Sequence, residues 1–363
     1  GLKANDYDIN TQRIYFLDEV HRSYDPKGSF LANLTSSDRN AITIGLTGTP
    51  LIGTDRTSKA IFGDYIHKYY YNASIADGYT LKLIREDIET TYKIQLKEAL
   101  KEVEILKGDA DKRIIYAHPR FAEPMLDYIV QDFVKSRIRF GDHSIGAMVV
   151  CDSAEQARKP LEIFISKYNP VQKTVETVAP YAMAAEPTPE YGHYIKDRAE
   201  SLTASLILHD IGSKDDRKDE VDDFKDGKID LLFVYNMLLT GFDAKRLKKL
   251  YIGRVIKNHN LLQTLTRVNR PYKKFRYGYV VDFADITKEF DATNKAYFDE
   301  LQAELGIDEM QHYSNLFKSK EEIEEEIKEI KEILFKFDTT NAEIFSNQIS
   351  QIEDIKQMQG IVK

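Results

Sequence analysis

One cysteine in 363 residues, Cys151, excludes an intramolecular disulfide and leaves a reducing, cytoplasmic setting as the expectation. The eight histidines are scattered without ligand spacing, so a zinc site built from Cys and His is not supported. No window approaches the roughly 18 apolar residues of a membrane span. Gly1 to Asn10 is polar, where a signal peptide would carry an apolar segment. With those classes set aside, a 42% apolar and 30% charged composition describes a soluble globular chain. Its length suits two to three domains of about 100 to 200 residues each.

Acidic residues are missing from one long interval. Between Ala244 and Arg276 there is none, while Lys245, Arg246, Lys248, Lys249, Arg254, Lys257, Arg267, Arg270, Lys273, Lys274 and Arg276 are basic. Those eleven positive charges sit in a chain of net charge −8. Such a segregated field predicts an anionic partner. The plainer alternative is a solvated basic face.

Apolar runs place the strands. Arg13 to Leu17 reads as a short buried strand that delivers Asp18-Glu19-Val20-His21 at its carboxyl end, where open α/β sheets keep their ligand chemistry. Ala41 to Leu46 is a second strand, stopped by Thr47-Gly48-Thr49-Pro50. An acid pair at a strand tip suits nucleotide hydrolysis, one carboxylate holding Mg²⁺ through water and its neighbour acting on the attacking water. A structural junction with a surface histidine is the alternative.

Further along, the tyrosine-rich stretch Gly63 to Leu83 is expected to be buried in a strand or crossover, and Ile84 to Lys107 to form an exposed charged helix. Glu123 to Phe140 has the spacing of an amphipathic helix. Strands are expected at Ile145 to Cys151, Ser205 to His209, Asp230 to Tyr235, Lys249 to Gly253 and Tyr277 to Phe283. Ser213 to Lys228 reads as a solvated helix, and Pro170 to Pro189 as a surface loop. Helices between most strands predict βαβ repetition and a parallel sheet. After Asp285 the chain turns to polar helices, with a Ser319/Glu322 capping box.

These residues together resemble superfamily 2 helicase-like motors, and most closely the restriction (R, or HsdR) subunit of type I restriction-modification enzymes. Asp18-Glu19-Val20-His21-Arg22-Ser23 is similar to that family's DEAH-type box, with Val for the commoner Ala. Gly45 to Leu51 resembles its third motif, Leu238 to Ala244 its fifth, and Asn260 to Gln263 with Thr266 to Arg270 its sixth. Phe62 to His67 and Ala76-Asp77-Gly78 are similar to its passage between lobes. The motifs stand in the family's order.

The resemblance implies an α/β fold of RecA-like parallel-sheet lobes followed by a helical region. The boundaries expected are 1–75 for the carboxyl-side part of a first lobe, 76–288 for a second lobe and 289–363 for the helices. It implies an ATP-hydrolysing translocase of double-stranded DNA, working with methyltransferase and specificity subunits, with ATP and Mg²⁺ as cofactors and no membrane partner. By position, Asp18 would hold Mg²⁺ and Glu19 would act on water. Arg267 and Arg270, one helical turn apart, would reach the γ-phosphate. His21, Gly241, Asp243 and Gln263 would line the nucleotide site. Thr47, Thr49 and Thr240 would couple it to DNA, tracked by Lys245, Lys248, Lys249, Lys273, Lys274 and Arg276. About five neutralised phosphates would give a log–log salt slope near −4.5.

The chain departs from the family at one point. No Gly-x-x-x-x-Gly-Lys-Ser/Thr loop occurs in the 363 residues, although the family cradles phosphates with one upstream of the acidic box. No nuclease constellation is found either. The expectation is a fragment without the nuclease and phosphate-loop portions, inactive alone. Another superfamily 2 motor, from a type III restriction enzyme or a repair helicase, and a non-catalytic module that binds nucleic acid or a subunit are the competing readings.

Overall fold

The computed structural model describes residues 11–20, 29–38, 40–48, 61–69, 71–86, 88–107, 117–168, 198–199, 201–238, 242–254, 256, 258–283, 316–337 and 341–352. They group into two compact units, 1–315 and 316–363. The first carries two parallel sheets, the α/β class expected.

The smaller sheet pairs β1 (Ile14–Leu17) with β2 (Ile42–Gly45) in parallel, Ile14 opposite Ile42. Helix α1 (Ser29–Ser37) lies between them in sequence. Leu17, Val20 and Leu34 form its small core, with Tyr15, Leu31 and Phe62 packed against it. The strand ends are tied together by Leu46 N donating to Leu17 O (2.8 Å) and Val20 N donating to Leu46 O (3.1 Å).

The larger sheet has six strands: β3 (Lys82–Glu86), β4 (Gly146–Val150), β5 (Ala204–Ile207), β6 (Leu231–Val234), β7 (Leu247–Ile252) and β8 (Tyr277–Asp282). Their order across the sheet is β3-β8-β7-β4-β6-β5, and every pair is parallel. Every residue of β4, β6 and β7 is buried. That explains why β4 and β6 read as continuous apolar runs rather than alternating ones. Each large apolar side chain so buried contributes about 1.5 to 3 kcal/mol.

Helices fill the crossovers: α2 (Tyr71–Ala76), α3 (Thr90–Lys107), α4 (Pro119–Phe140), α5 (Ala154–Tyr168), α6 (Lys214–Asp226) and α7 (Asn258–Leu265). Helix α4 starts at a proline, where a missing N–H costs nothing. It ends at Gly141 in the left-handed region, φ 60°. Its apolar face, Met125, Leu126, Ile129, Phe133 and Val134, joins the main core. Helix α6 is closed by the reciprocal Ser213/Asp216 capping box and Gly227. In the second unit, α8 (Lys320–Leu334) opens on the expected Ser319/Glu322 capping box, and α9 (Ala342–Ser350) follows.

Two sequence expectations change. Ile84 to Lys107 is not one exposed helix: Ile84 to Glu86 belong to β3, and α3 starts only at Thr90. The charges that suggested a solvated face are paired, Arg85 with Asp282 (3.0 Å) and Glu86 with Lys249 and Arg139. Nor do the described tyrosines of 63–83, Tyr65, Tyr69, Tyr71 and Tyr79, lie in a strand. Tyr69 and Tyr79 are exposed, and Tyr71 opens α2. The expected loop at 170–189 lies outside the described residues.

Candidate nucleotide-binding site

The acidic box stands at the carboxyl tip of β1. Asp18 is exposed, and its Oδ1 accepts the Glu19 N–H at 2.8 Å. Glu19 is half-buried with φ 52°, a left-handed conformation that a non-glycine residue adopts at a cost of about 1 to 3 kcal/mol. Strain of that kind concentrates at functional sites. Leu238, just beyond β6 and at the start of the fifth motif, is likewise left-handed, φ 63°. Thr47 follows β2, half-buried, beside the acidic box by virtue of the Leu46 hydrogen bonds.

The arginines stand on the other sheet. Helix α7 ends at Leu265, so Arg267 and Arg270 lie just past it, where a continuous helix was expected. Arg267 remains in the closing turn, its N–H donating to Thr264 O (3.2 Å). Its buried side chain donates to Gln263 O (3.1 Å) and Phe242 O (2.6 Å). Arg270 is exposed and 3.7 Å from Asp243. Burial and the charge of Arg270 lower the Arg267 pKa, while Glu19, Asp243 and Tyr71 act to raise it. The carboxylate of the first sheet and the guanidinium of the second therefore lie within each other's field. Gln263 is buried.

The backbone that carries the arginines is pressed onto the sheet. A Cβ at Gly278, in β8, would sit 2.2 Å from Val268 O, so only glycine allows the approach. Leu81 N, just before β3, donates to Asn269 O at 2.6 Å.

Among the candidates for DNA tracking, the structure separates two groups. Lys245, Lys273, Lys274 and Arg276 are exposed, Lys273 being paired with Asp142 (3.0 Å). Lys248 and Lys249 are a correction: both are fully buried and unable to meet a phosphate. Lys249 is held by Glu86 and by Asp132 (2.9 Å), and Lys248 donates to Val268 O (3.2 Å) and Arg270 O. Arg246 is also interior. It donates to the carbonyls of Ser144 (2.7 Å), Phe224 (2.6 Å) and Ile229 (2.6 Å), and shares Asp230 with Arg137. The basic interval is thus divided, with Arg246, Lys248, Lys249 and Arg267 in a buried scaffold and Lys245, Arg270, Lys273, Lys274 and Arg276 at the surface. Two lysines inside a strand otherwise made of Leu, Tyr and Ile were the sequence signal for this. His21, Thr49, Thr240 and Gly241 lie outside the described residues.

A family model described as type I restriction enzyme subunit R domain 3 matches residues 143–285, and one described as SWI2/SNF2 ATPase matches residues 3–113. The type I restriction enzyme SauCOLORF180P endonuclease subunit of Staphylococcus aureus is 30% identical over 306 residues, 77% of this chain and 31% of that protein. The chain's relatives are type I restriction endonuclease subunits. The HindI endonuclease subunit of Haemophilus influenzae is 25% identical over 337 residues, 85% of this chain and 29% of the relative. A solved fragment of an HsdR subunit from Vibrio vulnificus YJ016 is 15% identical with a TM-score of 0.45, covering 74% of this chain and 43% of the fragment. The chain spans about a third of the length of the curated relatives it matches. The two family models divide it so that the acidic box falls in the ATPase match and the arginines in the R-subunit match.

Proposed function

We propose that this chain supplies motor elements of a type I restriction endonuclease R subunit, which couples ATP hydrolysis to translocation along double-stranded DNA before cleavage. The observation that carries the reading is the acid pair at the tip of β1, with Glu19 in a left-handed conformation, together with the buried Arg267 just past α7, on which the Glu19 charge acts. ATP would bind between two RecA-like lobes, residues 1–75 contributing to one and 76–288 forming the other. Glu19 takes the proton of the attacking water. Arg267 and Arg270 offset the charge that develops on the γ-phosphate, a role worth about 10³ to 10⁵ in turnover.

Among the described residues no cluster of three or more His, Cys, Asp or Glu could hold a metal. The exposed carboxylate of Asp18 instead fits Mg²⁺ held mainly by water and the phosphates of the substrate. When bound, Mg²⁺ supplies charge neutralisation to the phosphates. Asp243, ion-paired to Arg270, would keep that guanidinium turned to the site. Lys245, Lys273, Lys274 and Arg276 are the side chains left to track DNA phosphates. The partners of the working motor would be the methyltransferase and specificity subunits, in the cytoplasm. Among the described residues, no helix is long and apolar enough to cross a membrane.

Glu19→Gln in the full-length protein tests the reading. ATP turnover is expected to disappear while nucleotide binding persists. A normal rate in that variant would remove Glu19 from the chemistry. Without a phosphate loop in its sequence, the isolated chain is expected to hydrolyse ATP negligibly.

A further inference from the structure

Lys248 and Lys249 are neighbours in β7, and strand alternation sends them to opposite faces of the sheet. Both are completely buried. Lys249 meets two carboxylates. Lys248 has no carboxylate partner among the described residues, and its hydrogen bonds go to two main-chain carbonyls, Val268 O at 3.2 Å and Arg270 O. An interior cation without an opposite charge is costly. Its two acceptors lie within the segment that carries the arginine pair.

That segment needs external donors. Helix α7 ends at Leu265, so the carbonyls beyond it lack the donors that a continuing helix would supply. Asn269 O takes the N–H of Leu81, and the carbonyls on either side of it take Lys248. Gly278 leaves the room for Val268 O to come down onto the sheet. The geometry points to Lys248 as a positioning residue for the arginine pair: by holding Val268 O and Arg270 O against β7, it fixes how Arg267 and Arg270 are presented to the nucleotide. This rests on the motor reading above. The amine and the ammonium both carry enough hydrogens for two carbonyls, so the clamp works in either protonation state.

The test is steady-state ATP turnover by the full-length protein in its DNA-bound complex. Lys248→Met keeps an apolar stem, one atom shorter, and removes the donors. It is expected to lower kcat by about tenfold to 100-fold, the scale of a small misplacement of catalytic groups, with the KM for ATP within about twofold of wild type. In an Arg267→Ala, Arg270→Ala background, followed by radiolabelled phosphate release, Lys248→Met is expected to add less than about twofold, because the groups it positions are gone. A wild-type kcat in the single variant, or the full loss repeated in the arginine-free background, overturns the assignment. Should Lys248→Met fail to give a cooperative melt, Lys248→Gln decides. Its amide is one atom short and can serve at most one carbonyl, so an intermediate kcat is expected and a wild-type kcat refutes the clamp. Normal turnover without both arginines would sink the motor reading itself. An inactive arginine-free protein beside a fully active Lys248→Met would sink only the positioning role.

Discussion

The two parallel sheets share a strand geometry and differ in how far they are covered. In the pair β1 and β2, Ile14, Phe16 and Ile42 are 52%, 66% and 50% exposed, whereas β4, β6 and β7 expose nothing. The larger sheet is closed so completely that the cations of its strand β7 and of the residue before it are drawn inside, each given an acceptor. The smaller sheet holds its candidate carboxylates by local means: a side chain capping the next N–H, a left-handed residue and two hydrogen bonds between strand ends. The two halves of the candidate site are therefore built differently. The acid side depends on backbone conformation, and the arginine side on a buried polar scaffold.

Breaking that scaffold should cost more than a change on the exposed face of the small sheet. Lys249→Ala strands Glu86 and Asp132 beside a buried void. It is expected to destabilise the protein by about 3 kcal/mol, at the lower end for a buried pair because both carboxylates keep some contact with water. Urea unfolding measures it. A cost under about 1 kcal/mol would place Lys249 in the class of surface pairs and erase the contrast between the sheets.

Lys248 sharpens the contrast through pH. Burial, with Arg270 nearby, lowers its pKa from 10.5 to about 7. Between those values the unfolded chain holds a proton that the folded chain has released, so this group's contribution to stability rises as pH goes from about 7 toward 10.5. As pH falls through about 7 the contribution is lost. The urea midpoint of wild type, relative to Lys248→Met, is expected to be higher at pH 9.5 than at pH 7. The opposite slope would mean that the ammonium is stabilised inside by an anion, and that the two lysines of β7 are alike.

Much of this was legible before the structure. The fully buried strands declared themselves as apolar runs, and the acid pair and arginines by their order along the chain. β3 was hidden because Arg85 and Glu86 read as solvent-facing, when both are partnered across the sheet and its flanking helices. The basic interval misled for a related reason. Linear spacing gives the side on which a strand residue projects, but not whether that side is covered. Lys248 and Lys249 alternate correctly, and both sides turned out to be closed. That Glu19 and Arg267 serve one site was expected only from the resemblance, because spacing along the chain does not say how two separate sheets meet. The end of α7 before its arginines was missed because Thr266 to Arg270 carries no glycine or proline to mark a stop.

The smallest effect is expected on the exposed face of the small sheet. Phe16 is two-thirds exposed, so Phe16→Ala removes little buried area and should change stability by less than about 0.5 kcal/mol. Phe233, completely buried in β6, gives the matched control, with a loss of about 3 to 5 kcal/mol on truncation to alanine. The comparison holds chemistry constant and varies only cover. If the two truncations cost the same, Phe16 is packed in solution against something that the exposed strand does not reveal, and the acid half of the site would be as firmly built as the arginine half.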